Sequence, residues 1–184
     1  LGDVLRFKET HAALPLNRPR WKGVPIYIRA GKRMCRDVTE ISIQFKDSPK
    51  NLPQFAGQKN PNVLTIRIQP DEGIILRFDA KKPGLDYQLQ PVNMEFRYNS
   101  AFANSPLIEA YRRLISDAIK GDHMLYPNAE AVETTWKLIT PILQDPAHPK
   151  KIETYPAGSM GPEGSYELLK RDGRYWFDLS PEVC

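Results

Sequence analysis

Four cations fall within eight residues in Arg29-Ala30-Gly31-Lys32-Arg33-Met34-Cys35-Arg36, directly after an alternating apolar run. A phosphate ester carries up to two negative charges. A lysine ammonium donates to its oxygens as a mobile point charge, and an arginine guanidinium binds two of them at once. Gly31 lets the backbone turn and approach a ligand. This strand end therefore suits an anion. A solvated basic edge, where lysine discourages edge-to-edge strand pairing, explains the same residues, and composition alone favours it. Arg67 and Gln69 lie two apart in another alternating run and project the same way. A second polar ligand, a dimer interface or plain solvent fits that pair equally well.

Other chemistries lack their residues. Nucleophilic catalysis needs a serine or cysteine beside a base, and there is neither G-x-S-x-G nor a recognisable Cys/His pair. The dinucleotide turn G-x-G-x-x-G is absent, and Gly31-Lys32 continues into Arg33 where a phosphate loop needs Ser or Thr. His11, His123 and His148 are scattered, so no metal is expected. Cys35 and Cys184 lack the close spacing of a zinc or redox pair, and free thiols are expected. A basic sheet with Tyr27, Phe78 and Tyr98 interleaved could stack RNA bases. The net charge of +4 is modest, though, and no RNP-type aromatic signature occurs. No nucleic acid is expected.

The elements that must position these residues follow from composition and periodicity. A chain of 184 residues with 41% hydrophobic and 10% aromatic content can bury a sizeable core. No window approaches the roughly 20 apolar residues that cross a bilayer, and the start LGDVLRFKETH has no apolar signal core. The chain is expected to be soluble and cytoplasmic, with no membrane partner. It starts at Leu, so it reads as a piece of a longer polypeptide. Residues 1–23 read as an entry segment with at most one short strand at Ala12 to Leu16, and residues 24–184 as the domain.

Period-two alternation marks five strands, at Val24–Ala30, Ile41–Phe45, Leu64–Ile68, Ile74–Phe78 and Val92–Tyr98. Only Q-P-D-E-G separates the third from the fourth, which predicts an antiparallel hairpin with Pro70 and Gly73 at its turn. One-sided alternation predicts an apolar sheet face covered by helices and an opposite face keeping Arg29, Thr65, Arg67, Gln69, Arg77, Glu95 and Arg97. Three helices follow. The first is capped by Ser105-Pro106, carries Leu107, Tyr111, Leu114, Ile115 and Ala118, and stops at Gly121. The second runs from Asn128 to Leu143 with a bend at Pro141, and the third from Glu163 to Arg171, closed by Gly173. The fold class is α+β, a large mostly antiparallel sheet with one face covered by helices.

A series of motifs in order resembles the C-terminal domain of the glucose-6-phosphate dehydrogenase family. They are R-W-K-G-V-P-I-Y-I-R-A-G-K-R-M at 20–34, T-E-I-S-I-Q-F-K at 39–46, I-R-I-Q-P-D-E-G-I at 66–74 and K-K-P-G at 81–84. Then come A-Y-R-R-L-I-S-D-A-I-K-G-D at 110–122, Y-P-A-G-S-M-G-P at 155–162 and E-L-L-K-R-D-G-R-Y-W at 167–176. The resemblance covers residues 9–177. It implies an α+β domain on an antiparallel sheet, preceded by an N-terminal Rossmann domain that holds NADP or NAD. Substrate lies between the two, and the sheet forms a homodimer or homotetramer. It also implies oxidation of glucose 6-phosphate to 6-phosphogluconolactone at the entry to the pentose phosphate pathway.

Carried over residue by residue, Lys32 matches the lysine after glycine that contacts the sugar phosphate, which turns the weighting from basic edge to ligand contact. Gln69, in I-R-I-Q-P, resembles a residue near substrate in some members. Arg29 and Arg67 match arginines that help some eukaryotic members bind a second, structural NADP. The other positions of that site are not matched, and such a site is not expected. Many members carry a second Lys or Arg five residues after Lys32, where this chain has Asp37. A carboxylate there repels phosphate, and Arg36, one position earlier, is taken as the substitute. The segment before Trp21 is about two residues shorter than is usual in the family. The family's catalytic histidine motif is absent, so no catalytic residue is assigned and the chain alone is expected to be inactive. The alternative expectation is a non-catalytic dimerisation or regulatory module derived from the same enzyme.

Overall fold

The computed structural model describes residues 12–15, 19–46, 60–103, 109–144 and 153–177. The expected cap Ser105-Pro106, Leu107, His11, His148 and Cys184 lie outside the described residues. The chain divides into two compact units. One comprises residues 1–31 and 107–155, the other residues 32–106 and 156–184.

In the first unit, β1 (Ala12–Pro15) pairs antiparallel with β2 (Pro25–Ile28), Ala12 opposite Ile28 and Leu14 opposite Ile26. The expected first strand thus belongs to a separate two-stranded sheet, because alternation marks a strand without naming its partner. A one-turn 3₁₀ helix, Pro19–Trp21, leads into β2.

The second unit holds a four-stranded meander, β3 (Thr39–Gln44), β4 (Val63–Gln69), β5 (Gly73–Lys81) and β6 (Leu89–Arg97), antiparallel in chain order. The β4–β5 hairpin forms as expected. Its Gln69–Pro70 peptide is cis, and Asp71 takes a positive φ of 56°, a conformation aspartate tolerates. At Gly73 a Cβ would stand 2.5 Å from the Phe96 carbonyl oxygen, so glycine is required where β5 meets β6.

Register stacks like with like. One face carries the cross-strand rows Ile41–Ile66–Ile74–Phe96 and Ile43–Leu64–Leu76–Met94, and the other Ser42–Thr65–Ile75–Glu95 and Glu40–Arg67–Gly73–Arg97. The buried residues of this sheet are on the mixed face, namely Val63, Thr65, Gly73 and Ile75, and Thr65 bonds the Ser42 hydroxyl at 2.9 Å. On the apolar face Ile41, Ile43, Ile74, Met94 and Phe96 remain 39% to 62% exposed. Alternation therefore located the two faces but reversed which of them this chain buries.

After β6 comes a one-turn helix, α1 (Tyr98–Ala101), which the alternation did not separate from the strand. α2 (Ala110–Lys120) ends, as expected, on Gly121 in the left-handed region, φ 70°. Asn128 caps α3 (Ala129–Gln144), its Oδ1 accepting the Ala131 N–H at 2.8 Å, and the helix continues through Pro141. α4 (Glu163–Lys170) closes at Gly173, φ 65°.

Candidate functional site

The cationic segment is a loop between β2 and β3. Arg29 follows β2 in the first unit, half-buried, with Nη1 inaccessible. The second unit starts at Lys32, whose side chain is exposed. Arg33 adopts φ 52°, unusual for a residue with a side chain, and Arg36 is half-buried with its Nε inaccessible. Asp37 is exposed.

Two backbone bonds tie this loop to a turn 124 and 125 positions away in sequence. The Gly158 N–H donates to the Arg33 carbonyl at 2.9 Å, and the Cys35 N–H donates to the Ser159 carbonyl at 2.9 Å. The turn holds itself together: the Ser159 N–H and Oγ both donate to the Pro156 carbonyl, at 3.2 and 2.8 Å, and the Gly161 N–H reaches Ser159 Oγ at 3.4 Å. It runs straight into α4. There buried Ser165 donates to the Pro162 carbonyl at 2.9 Å and accepts Trp176 Nε1–H at 3.1 Å on its own carbonyl, while Leu169 is buried nearby in sequence. The P-A-G-S-M-G-P part of the motif thus tethers the cationic loop through its backbone. Sequence reasoning missed that role, although two glycines between two prolines were the available signal.

Cys35 corrects an expectation. It is disulfide-bonded instead of carrying a free thiol, because separation along the chain places no limit on distance in space.

Gln69 ends β4, the strand that pairs with β3. β3 begins three residues after Arg36, and its first residue, Thr39, stands opposite Gln69. The register shifts between Thr39 and Glu40, since Glu40 pairs with Arg67, two positions before Gln69. Ile68 is the extra residue of a bulge, which re-aims side chains locally. Alternation therefore does not carry through from Arg67 to Gln69, and the two differ in burial: Gln69 is exposed and Arg67 half-buried. Arg67 lies opposite Glu40, and the inaccessible Nε of one and Oε2 of the other make no hydrogen bond. The structure places Lys32, Arg36, Gln69 and Arg67 in one unit, and Arg29 in the other.

A four-stranded antiparallel meander with helices, preceded by a tethered loop that carries an exposed lysine, makes this an α+β domain. The chain belongs to the glucose-6-phosphate dehydrogenase family: the family model described as glucose-6-phosphate dehydrogenase, C-terminal domain, matches residues 7–177. It is 46% identical over 181 residues to glucose-6-phosphate 1-dehydrogenase of Chlamydia pneumoniae, covering 93% of this chain and 35% of that protein. It is 45% identical over 174 residues to glucose-6-phosphate 1-dehydrogenase 2 of Mycobacterium tuberculosis, covering 91% of this chain and 33% of that one. Among solved structures, a glucose-6-phosphate dehydrogenase in complex with its substrate glucose 6-phosphate superimposes with a TM-score of 0.80 at 35% identity, covering 93% of this chain and 35% of that one. The Mycobacterium avium enzyme gives 0.76 at 28% identity, over 94% and 35%. The chain thus spans about a third of the length of these relatives.

Proposed function

We propose that this chain supplies the substrate-phosphate contacts of a glucose-6-phosphate dehydrogenase, which oxidises glucose 6-phosphate to 6-phosphogluconolactone. The observation that carries the reading is Lys32, exposed on a loop tied by two backbone bonds at the position the family resemblance assigns to phosphate. Lys32 meets the phosphate as a point charge, Arg36 adds a second cation from the same loop, and Gln69 offers amide hydrogen bonds from the adjacent strand end. All three orient the sugar and leave the chemical step to other groups, so their contribution is positional. The hydride acceptor is NADP or NAD, held by an N-terminal Rossmann domain, and the setting is the cytoplasm.

Arg29 and Arg67 match a structural NADP site of some eukaryotic members by resemblance alone, and since its other positions are not matched no such site is proposed.

The exposed apolar sheet face supports covering partners, namely the nucleotide domain and a second copy of the chain in a homodimer or homotetramer. That same face favours a second reading, a non-catalytic dimerisation module. Joining the chain to the nucleotide-binding part of the Chlamydia pneumoniae relative separates the two, since restored NADP reduction supports the enzyme and stable association without turnover supports the module. In the active protein, Lys32→Ala should raise KM for glucose 6-phosphate by more than about tenfold, the worth of a charge-assisted bond. A KM within about twofold of the parent refutes the assignment.

A further inference from the structure

We propose that the Pro156–Gly161 turn is the positioning element of the Lys32 loop, with Gly158 and Ser159 as its positioning residues. This rests on the reading of Lys32 as the phosphate contact and adds what holds that contact in place. A lysine on an exposed loop is useful for orienting a substrate only if the backbone beneath it is fixed, because the side chain alone has many rotamers to lose. Arg33, the next residue, sits at φ 52°, where a side chain is disfavoured. It stays there because its carbonyl accepts the Gly158 N–H, and because Cys35, two residues on, donates to the Ser159 carbonyl, both at 2.9 Å.

The turn can present those two groups only in its own special conformation. Gly158 has φ 82°, and a Cβ built there meets nothing within 4 Å, so the demand for glycine is conformational and not one of space. Ser159 is locked by its hydroxyl between the Pro156 carbonyl and the Gly161 N–H, which aims its carbonyl at Cys35. Both of these bonds between turn and loop join backbone groups, so Gly158 and Ser159 act through the loop.

The test compares Gly158→Val, Gly158→Asn and Ser159→Ala with the parent, by amide hydrogen exchange on the chain and by steady-state kinetics on the chain joined to the relative's nucleotide-binding part. Gly158→Val should speed exchange at the Cys35 amide at least about tenfold and raise KM for glucose 6-phosphate about tenfold, with kcat within about twofold and the nucleotide KM unmoved. Asparagine tolerates the left-handed region, so Gly158→Asn should recover to within about threefold of the parent KM. The Asp122 amide, which bonds the Asp117 carbonyl in the first unit, is the control for folding. If valine disturbs it, Ser159→Ala carries the test, with a KM about threefold above the parent and kcat unchanged. A Cys35 amide as protected as the parent's, an unmoved KM, or kcat falling in step with KM overturns the proposal. Failure of the underlying reading looks different: Lys32→Ala would leave KM unchanged while the exchange difference at Cys35 persisted.

Discussion

At the scale of single residues, Asp37 is the departure with the clearest consequence. An exposed carboxylate one position after Arg36 would subtract from the field that Lys32 and Arg36 offer the phosphate proposed to bind there. Asp37→Lys in the active protein should lower KM for glucose 6-phosphate about threefold at low ionic strength, and the gain should fade toward about 0.5 M salt as screening shortens the interaction. A KM that does not move at any salt concentration would remove Asp37 from the site. Cys35 gives a second residue-scale expectation: mass mapping should find it unmodified by iodoacetamide before reduction and alkylated afterwards. Of this site, Lys32 and Gly31 were legible, because charge and a turn residue after an apolar run are local signals. The tether was not, since the bonds from Gly158 and Ser159 join backbone groups 125 and 124 positions from their partners and leave no mark on side-chain type.

At the scale of elements, periodicity found β3 to β6 and the three longer helices because each spans enough residues to repeat its pattern. It could not find the partner of β2 or the bulge at Ile68, which depend on pairing across the chain. Two elements stand on single residues. Gly73 joins β5 to β6 so closely that Gly73→Ala must push backbone apart, and thermal unfolding should fall by about 4 °C or more. On α2, buried Asp117 accepts from Arg113 Nε at 2.7 Å, a bond that together with the carboxylate's charge holds the guanidinium pKa above its usual value. Arg113 is therefore charged throughout the working pH range. Arg113→Met leaves the carboxylate buried without its cation and should lower the melting temperature by about 4 °C, with Arg113→Lys restoring part of it. Equal melting temperatures for all three proteins would show that Asp117 finds another donor.

At the scale of the molecule, the balance between covered and open apolar surface decides how the chain behaves alone. Rows such as Ile43–Leu64–Leu76–Met94 are built as a core would be, with aliphatic neighbours in register across four strands, yet their outer members stay open to water. Removing such side chains from water is worth about 25 cal/mol per Å², so a face of this kind drives association with whatever apolar surface is available. The chain without a partner domain should therefore bind a hydrophobic dye and sediment as dimers or larger species at micromolar concentration. Met94→Lys places a charge on the open face, at its β6 edge. It should shift sedimentation toward monomer and reduce dye binding, while the melting temperature changes by less than about 2 °C because Met94 is already solvated. If the parent sediments as a monomer with no dye binding across that range, the face is not a surface for association. If Met94→Lys instead unfolds the chain, the apolar rows contribute to the core of the isolated chain, and the exposed stripe is where its stability resides.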